Sequence, residues 1–382
     1  MWKGKKRVLS IMAGISIFLI VLVLDVMVNP STINGTENIL KSKNPKLFSN
    51  HLKQEKLELD DIFYEDDEVI YYKDNILKRF KKKGIDVSNT LKAWAALSEE
   101  FPEGTNSFIV PIPTRVIFEE GFSEDSINYE SYYEELQSEL TGLATIVDLR
   151  PTFNSHKKEY MFYRTIDSIT ARGGYYSAKE LEKALGISSH IPLEQYHEHM
   201  YHKYKGIIDF PINPESIVRN KDYEMLSKMP EDLTYYYLLP MSYNMSEIFI
   251  KNDDSTLLSF KQPTLLKSGV GYGSILSGRG FEWAVVEGEG KSNEKKDETL
   301  LLIADEQGRY MLPYLSSYYK QIYYVNLTWN KVLGTDFQKL ALLFEEYNIR
   351  DVVYAQNAND MGVPGYSAAF NAFLRERSEE DD

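Results

Sequence analysis

Five short apolar runs set the strongest limit on what this chain can fold into: 107–111 (SFIVP), 144–149 (ATIVDL), 300–304 (LLLIA), 321–327 (QIYYVNL) and 351–355 (DVVYA). Each has the length of one strand and is mostly apolar, as parallel strands covered on both faces are. Patterns with helical spacing lie between and beside them, at 87–100, 129–143, 178–185, 310–320, 336–347 and 367–377. Thr335 and Asp336 precede Leu340, Leu343 and Phe344, which share one helical face, so a helix is expected to start there. Strands alternating with helices predict an α/β domain with helices on both faces of a mostly parallel sheet. The stretch 205–299 breaks the rhythm with turn signals and β-like segments at 247–250, 257–261 and 282–286. It reads as a β-rich insertion that lines or covers the sheet's ligand-bearing edge.

Ahead of this domain, residues 2–7 (WKGKKR) are basic, and 8–28 are apolar apart from Ser10, Ser16 and Asp25. About 20 apolar residues span a bilayer, and a basic flank stays in the cytoplasm. The expected organisation is a cytoplasmic flank at 1–7, a transmembrane anchor at 8–28, a polar stalk at 29–60 and an extracytoplasmic domain over 61–382 with an acidic tail at 378–382. The protein is then expected in the cell membrane, single-pass, with its N-terminus cytoplasmic. A cleaved signal peptide is the rival reading, because 11–24 is short enough for the apolar core of one. No small-x-small cleavage site follows, which favours the anchor.

At 382 residues and 43% hydrophobic, the chain can bury one large or two moderate cores. Its net charge of −14 argues against nucleic acid, whose phosphates need clustered Lys and Arg. The largest basic run, 78–83 (KRFKKK), is flanked by carboxylates and reads as a solvated helix face. The absence of cysteine excludes disulfides, thiol nucleophiles, iron–sulfur clusters and cysteine zinc sites.

Four stretches carry a resemblance when taken together: 163–176 (YRTIDSITARGGYY), 108–114 (FIVPIPT) with 71–77 (YYKDNIL) before it, 275–280 (ILSGRG) and 300–306 (LLLIADE). They resemble the DHHW family of bacterial extracytoplasmic proteins, related to the SGNH-hydrolase-like proteins that serve in O-acetylation of exopolysaccharides such as alginate. The family's name-giving motif runs roughly Y-R-T-D-H-H-W-T-x-x-G-A-Y-Y; here the flanks match without a gap and the four central residues do not. The other stretches are similar to the family's V-P-T strand end, F-L-G-G-N-H segment and L-L-L-I-K-D-S strand end. The resemblance spans about 71–358. It implies an SGNH-hydrolase-like, flavodoxin-like, three-layer α/β/α fold.

In that fold a serine attacks an acyl carbon, a histidine two residues after an aspartate takes its proton, and donors including an asparagine hold the oxyanion. Carried over, the aspartate position falls on Ile166, the histidine on Ser168, the asparagine on Arg279 and the serine on Glu306. None of these can do the expected chemistry. A shift of one residue puts Asp167 in the aspartate place but leaves Ile169 for the base. Losing the serine or histidine costs roughly 10⁶ in turnover. A carboxylate at Glu306, at the start of a helix, would stay ionised and repel a developing oxyanion.

The resemblance therefore implies a scaffold kept after its chemistry was lost, with no catalytic residue and no cofactor expected. Its ligand would be a cell-envelope polysaccharide, or its partner a membrane-bound O-acyltransferase. Two alternatives stay open. One is an active O-acyl esterase or acetyltransferase on cell-surface polysaccharide built on Asp167 and Ser168, with a base from His197, His199 or His202. The other is a structural assembly protein whose cleft is filled.

Arg164, Asp167, Asp305 and Arg309 are expected to meet beyond the strands' carboxyl ends, where open α/β sheets bind ligands. They would form either a polar binding site or an ion-pair cluster filling a redundant pocket. In 196–202 (YHEHMYH), His199 and His202 are spaced for one helix face but His197 is not, so a solvated segment is expected and no metal. The glycine-rich 269–273 (GVGYG) reads as a turn. Among 28 tyrosines, the clusters at 235–237, 318–319 and 323–324 suit sugar rings, and suit a core equally well. Asn34, Asn244 and Asn326 begin Asn-x-Ser/Thr triplets, which are chance matches in a chain that looks bacterial.

Overall fold

The computed structural model describes residues 62–65, 69–72, 75–80, 87–164, 166–204, 232–238, 245–251, 257–263, 283–287, 294–327, 344 and 347–361. The expected anchor at 8–28, the stalk, the glycine-rich 269–273, Arg279, the helix at 367–377 and nearly all of the one at 336–347 lie outside them. Among the described residues no helix is long and apolar enough to cross a membrane.

A six-stranded sheet organises the domain. Its strands are β4 (Asn106–Ile112), β5 (Thr145–Ile146), β10 (Trp283–Glu287), β11 (Thr299–Ala304), β12 (Gln321–Asn326) and β13 (Ile349–Asn357). The spatial order is β10-β12-β11-β13-β4-β5; every pair is parallel except β10 with β12. The five apolar runs therefore become the five parallel strands. β11 is buried along its whole length and β13 at all but one position, as central strands covered on both faces require. Chain direction reverses around β13: β4 leads outward to β5, β11 leads the other way to β12, and β13 returns between β4 and β11. Such a switch point opens a crevice beyond the carboxyl ends of the strands.

The β-like segments of the irregular stretch appear as β8 (Met245–Lys251) and β9 (Leu257–Pro263), an antiparallel pair, and as β10. β10 belongs to the main sheet as its antiparallel edge, so the expected insertion over 205–299 hands its last strand back to the core fold. Before the sheet, β1 (Ile62–Glu65), β2 (Val69–Tyr72) and β3 (Asn75–Lys78) form an antiparallel meander.

Helices α1 (Val87–Ser98), α2 (Ser123–Glu139), α3 (Arg150–Ser155), α4 (Ala171–Ala184) and α5 (Leu312–Leu315) are described. On α1, Trp94 and Leu97 are fully buried, and Trp94 packs against Tyr354 of β13. α2 starts six residues before the expected 129, with Glu124 and Asp125 in its first turn, where carboxylates favour the helix dipole. α4 starts seven residues before the expected 178, capped by the Thr170 side chain, which accepts from the Gly173 N–H. Its Gly173-Gly174 pair opposes helix by propensity, but a Cβ on Gly174 would lie 2.5 Å from the Tyr310 Cβ and 2.6 Å from its carbonyl. The glycine is there to let α4 touch the turn after β11.

The helix expected over 310–320 shrinks to a 3-10 turn, Gly308–Met311, and the one-turn α5. The histidine segment is the strand β6 (His197–Tyr204), paired with β7 (Asp232–Leu238), so the helix-face geometry considered for His199 and His202 does not arise.

Candidate functional site

The 160–170 segment folds into a tight loop. The Tyr163 N–H donates to the Ser168 carbonyl (3.0 Å) and the Thr170 N–H to the Met161 carbonyl (2.9 Å), with Phe162 and Ile169 bridged between them. Tyr163 and Tyr310 join hydroxyls at 2.9 Å, anchoring the loop's base. The Ile76 N–H of β3 donates to the Arg164 carbonyl at 2.7 Å. Gln307 grips the tip from the other side: its Nε2 donates to the Asp167 carbonyl (3.0 Å) and its Oε1 accepts the Ile169 N–H (3.4 Å). Asp167 is thereby held at the carboxyl rim of the sheet, next to the turn that follows β11.

That turn is fixed by Asp305. Its Oδ1 accepts the N–H groups of Gln307 and Gly308, both at 2.9 Å, and its Oδ2 accepts the Asn357 N–H at 2.8 Å. Burial pushes the Asp305 carboxyl up to about 7, against the pull of the Asn357 and Gly308 N–H groups. Gly308 lets the turn lie against β13, since a Cβ there would come within 2.5 Å of the Ala304 Cβ and 2.9 Å of the Ala355 carbonyl. Asp305 thus ties the end of β11 to the end of β13, with each carboxyl oxygen engaged by backbone.

Asp167 differs. Its Oδ2 and the Nδ2 of Asn359 are both buried and neither makes a hydrogen bond of normal geometry, although the Asn359 side chain lies close enough to act on the Asp167 carboxyl. Burial pushes the Asp167 carboxyl up to about 6; the charge of Lys78 and the side chains of Asn359 and Asn357 draw it back, while Asp360 adds to the rise. Lys78, at the end of β3, pairs with Asp360 at 3.3 Å. The Thr114 hydroxyl, just beyond β4, donates to the Lys78 carbonyl. Residues from the ends of β3, β4, β11 and β13 therefore surround one loop-borne carboxylate.

Of the four residues expected to meet, Asp167 and Asp305 do so, both beside Asn357. Arg309 turns toward β12 instead: it is buried, its Nε donates to the Tyr324 hydroxyl (3.4 Å), and its guanidinium lies 5.6 Å from that ring's centre. Arg164 contributes its carbonyl to β3, and its guanidinium lies 5.9 Å from the centre of the Tyr160 ring. Among the positions carried over, Ile166 lies on the loop beside Asp167, and Ser168 is buried with its hydroxyl donating to the Ile169 carbonyl (3.3 Å). Glu306 opens a turn into a four-residue 3-10 segment, too short to supply the helix dipole expected for it.

The side chains of His197, His199 and His202 lie outside the described residues; His156 and His190 are engaged by Glu159 (2.7 Å) and Glu182 (2.9 Å). Tyr318, Tyr319, Tyr323 and Tyr324 are buried, as core residues are. Sequence reading put Lys78 on a solvated helix face, whereas Lys78 ends the strand β3 and Phe80 after it is buried. It passed over Gln307, Asn357, Asn359 and Asp360. The signal for three of them was the polar run 356–360 (QNAND), directly after an apolar strand.

No family model matches the chain, and no curated protein matches it. Solved structures do. A DHHW family protein from Eubacterium siraeum superposes with a TM-score of 0.62 at 18% identity, covering 82% of this chain and 97% of that one. Bacillus cereus PatB1 with a sulfonyl adduct gives 0.56 at 12% identity, covering 81% and 99%; PatB1 itself gives 0.51 at 14%, covering 80% and 99%. The chain is similar in fold to these proteins along nearly their whole length. Its α/β architecture with a mostly parallel six-stranded sheet is SGNH-like.

Proposed function

We propose that this protein is a membrane-anchored, extracytoplasmic recognition protein on an SGNH-like scaffold, binding cell-envelope polysaccharide at the carboxyl rim of its sheet without turning it over. The observation that carries this reading is the arrangement around Asp167, where its buried Oδ2 and the buried Asn359 Nδ2 complete no well-formed hydrogen bond beside the Lys78–Asp360 pair. Buried polar groups are nearly always satisfied, so such groups at a rim are matched by a hydroxyl-bearing ligand or by water. Sugar hydroxyls both donate and accept, and one can satisfy Asp167 while accepting from Asn359.

The absence of turnover is supported by the side chains themselves. Glu306 cannot act as the serine would, and Ser168, at the base position, spends its hydroxyl on a neighbouring carbonyl. Extracytoplasmic placement rests on the basic flank and apolar run of residues 1–28. A membrane-bound O-acyltransferase is the partner that the family resemblance suggests for the same scaffold.

The test uses the full-length chain in lipid nanodiscs with a chromogenic acetyl ester and with acetylated and de-acetylated envelope polysaccharide. No turnover above buffer is expected, together with polysaccharide binding that weakens in Asp167→Ala. Turnover abolished by Ser168→Ala would overturn the reading in favour of an esterase.

A further inference from the structure

A recess opens farther along the same rim, where the 3-10 segment Arg115–Phe118 after β4 faces α2 and the start of α3. It is a groove of about 370 Å³, lined by Ile117, Phe118, Glu130, Asp148, Arg150 and Asn154 among others. That volume lies within the roughly 300–1,000 Å³ typical of small-ligand sites.

The chemistry of its wall is selective. Arg150 would ordinarily suggest an anion, but its charge is already matched: Nε and one terminal nitrogen bind the two oxygens of Asp148, both at 2.9 Å, and the other binds Glu130, which engages three of its five N–H groups. Its guanidinium also lies 3.8 Å from the centre of the Tyr133 ring. Two carboxylates against one guanidinium leave the wall net anionic, which repels uronates and phosphates. The same carboxylates, held in place by Arg150, retain lone pairs for hydroxyl donors. Asn154 is exposed and adds an amide.

Phe118 supplies an apolar face. Its ring is fixed against Phe153, at 6.1 Å and 28° between planes, and against Phe162 at 5.9 Å. An apolar ring opposite fixed acceptors matches a sugar ring, which has a C–H face and a hydroxyl edge.

From this we infer that the groove is a second sugar subsite, taking a neutral pyranose ring and excluding acidic ones. The inference rests on the polysaccharide reading above and extends it. The segment that forms one wall also borders the Asp167 rim: Thr114 holds the Lys78 carbonyl, and Arg115 donates to Asn75 of β3. One glycan strand running along the rim would contact both the Asp167 loop and the groove, with its neutral residues in the groove.

The experiment is ligand-observed NMR on the full-length chain in nanodiscs with neutral tetrasaccharides of β-linked glucose, α-linked mannose and β-linked N-acetylglucosamine, and with a uronate tetrasaccharide. At least one neutral ligand is expected to bind, more tightly than the uronate, and about tenfold more weakly after Phe118→Ala. Asn154→Ala, at an exposed position that folding does not need, is expected to weaken it several-fold. Failure of every neutral ligand to bind, binding unchanged in both variants, or tighter uronate binding would overturn the inference. Asp167→Ala separates the two readings. Loss of binding in that variant with no change in the groove variants removes the groove and keeps the rim site; the converse keeps the groove and removes the rim site.

Discussion

Asp351 at the amino end of the central sheet and Asp167 at its carboxyl end are two carboxylates with buried oxygens that the fold treats in opposite ways. At the amino end, Asp351 of β13 is fully buried and saturated: it accepts from the Tyr319 hydroxyl (2.6 Å), the Lys295 ammonium (2.9 Å) and the Asn106 side chain (2.8 Å). At the carboxyl end, a buried oxygen of Asp167 makes no well-formed hydrogen bond, and neither does the side-chain amide nitrogen of nearby Asn359. A saturated buried ion is architecture, since every partner belongs to the fold. An unsaturated one is kept at a cost in stability, and such costs collect where a ligand will complete the set.

Removing one partner from the saturated end should have the largest effect. Asp351→Ala leaves the Lys295 ammonium and the Tyr319 hydroxyl without their shared acceptor, and should destabilise the domain by about 3–5 kcal/mol. Denaturant unfolding checks this. A loss under about 1 kcal/mol would mean that Asp351 is no more structural than Asp167.

The open end should respond with the opposite sign. Burial raises the Asp167 carboxyl from 3.8 to about 6, so the folded chain keeps that proton to higher pH than the unfolded chain. Its contribution to stability is therefore fullest below about pH 3.8 and is lost as pH rises through about 6. The difference amounts to about 3 kcal/mol at most. Asp167→Asn removes the buried charge and should stabilise the protein at neutral pH by about 1–3 kcal/mol, flattening the stability profile across that window. Asp305 keeps its own pH dependence, which extends up to about 7. Unfolding midpoints measured across this range decide the matter, and a destabilised Asp167→Asn would place Asp167 with Asp351 as architecture.

The loop that carries Asp167 can be loosened without touching the carboxylate. Gln307→Ala removes both hydrogen bonds at the loop tip and should cost about 1–2 kcal/mol. Polysaccharide affinity should fall with it, since the acceptor is no longer held opposite Asn359. Equal affinity in this variant would show that the loop is positioned by Tyr163 and Thr170 alone.

How much of this was legible follows from the range of each signal. The five parallel strands could be read because burial on both faces leaves a local apolar run, as in Leu300 to Ala304. The start of α4 could not, because Gly173 and Gly174 oppose helix locally and are required by Tyr310, which lies far along the chain. β6 was missed because its histidines and tyrosines carry no period-2 alternation, and its partner β7 is distant in sequence. At the site, the sequence pointed to Asp167 and Asp305, which share Asn357 as a neighbour, whereas nothing local announces Tyr324 as a partner of Arg309. Gln307 was invisible for a related reason: its role is defined by what it grips across 140 residues of chain.

The smallest expected effect tests whether the open end acts as one electrostatic unit. The Lys78 side chain is 43% exposed and its pair with Asp360 spans 3.3 Å, so the bond itself should contribute no more than about 1 kcal/mol. Lys78→Met removes only the charge; the backbone stays in place because Thr114 holds the Lys78 carbonyl, not the ammonium. Without that cation, Asp360 is left uncompensated and Asp167 loses the charge that draws its carboxyl down. Its titration, followed by NMR at the side-chain carboxyl carbon, should move to higher pH than about 6 while unfolding midpoints barely change. An unmoved or lowered titration would uncouple Lys78 from Asp167. The open end would then consist of the loop and the β13 asparagines alone.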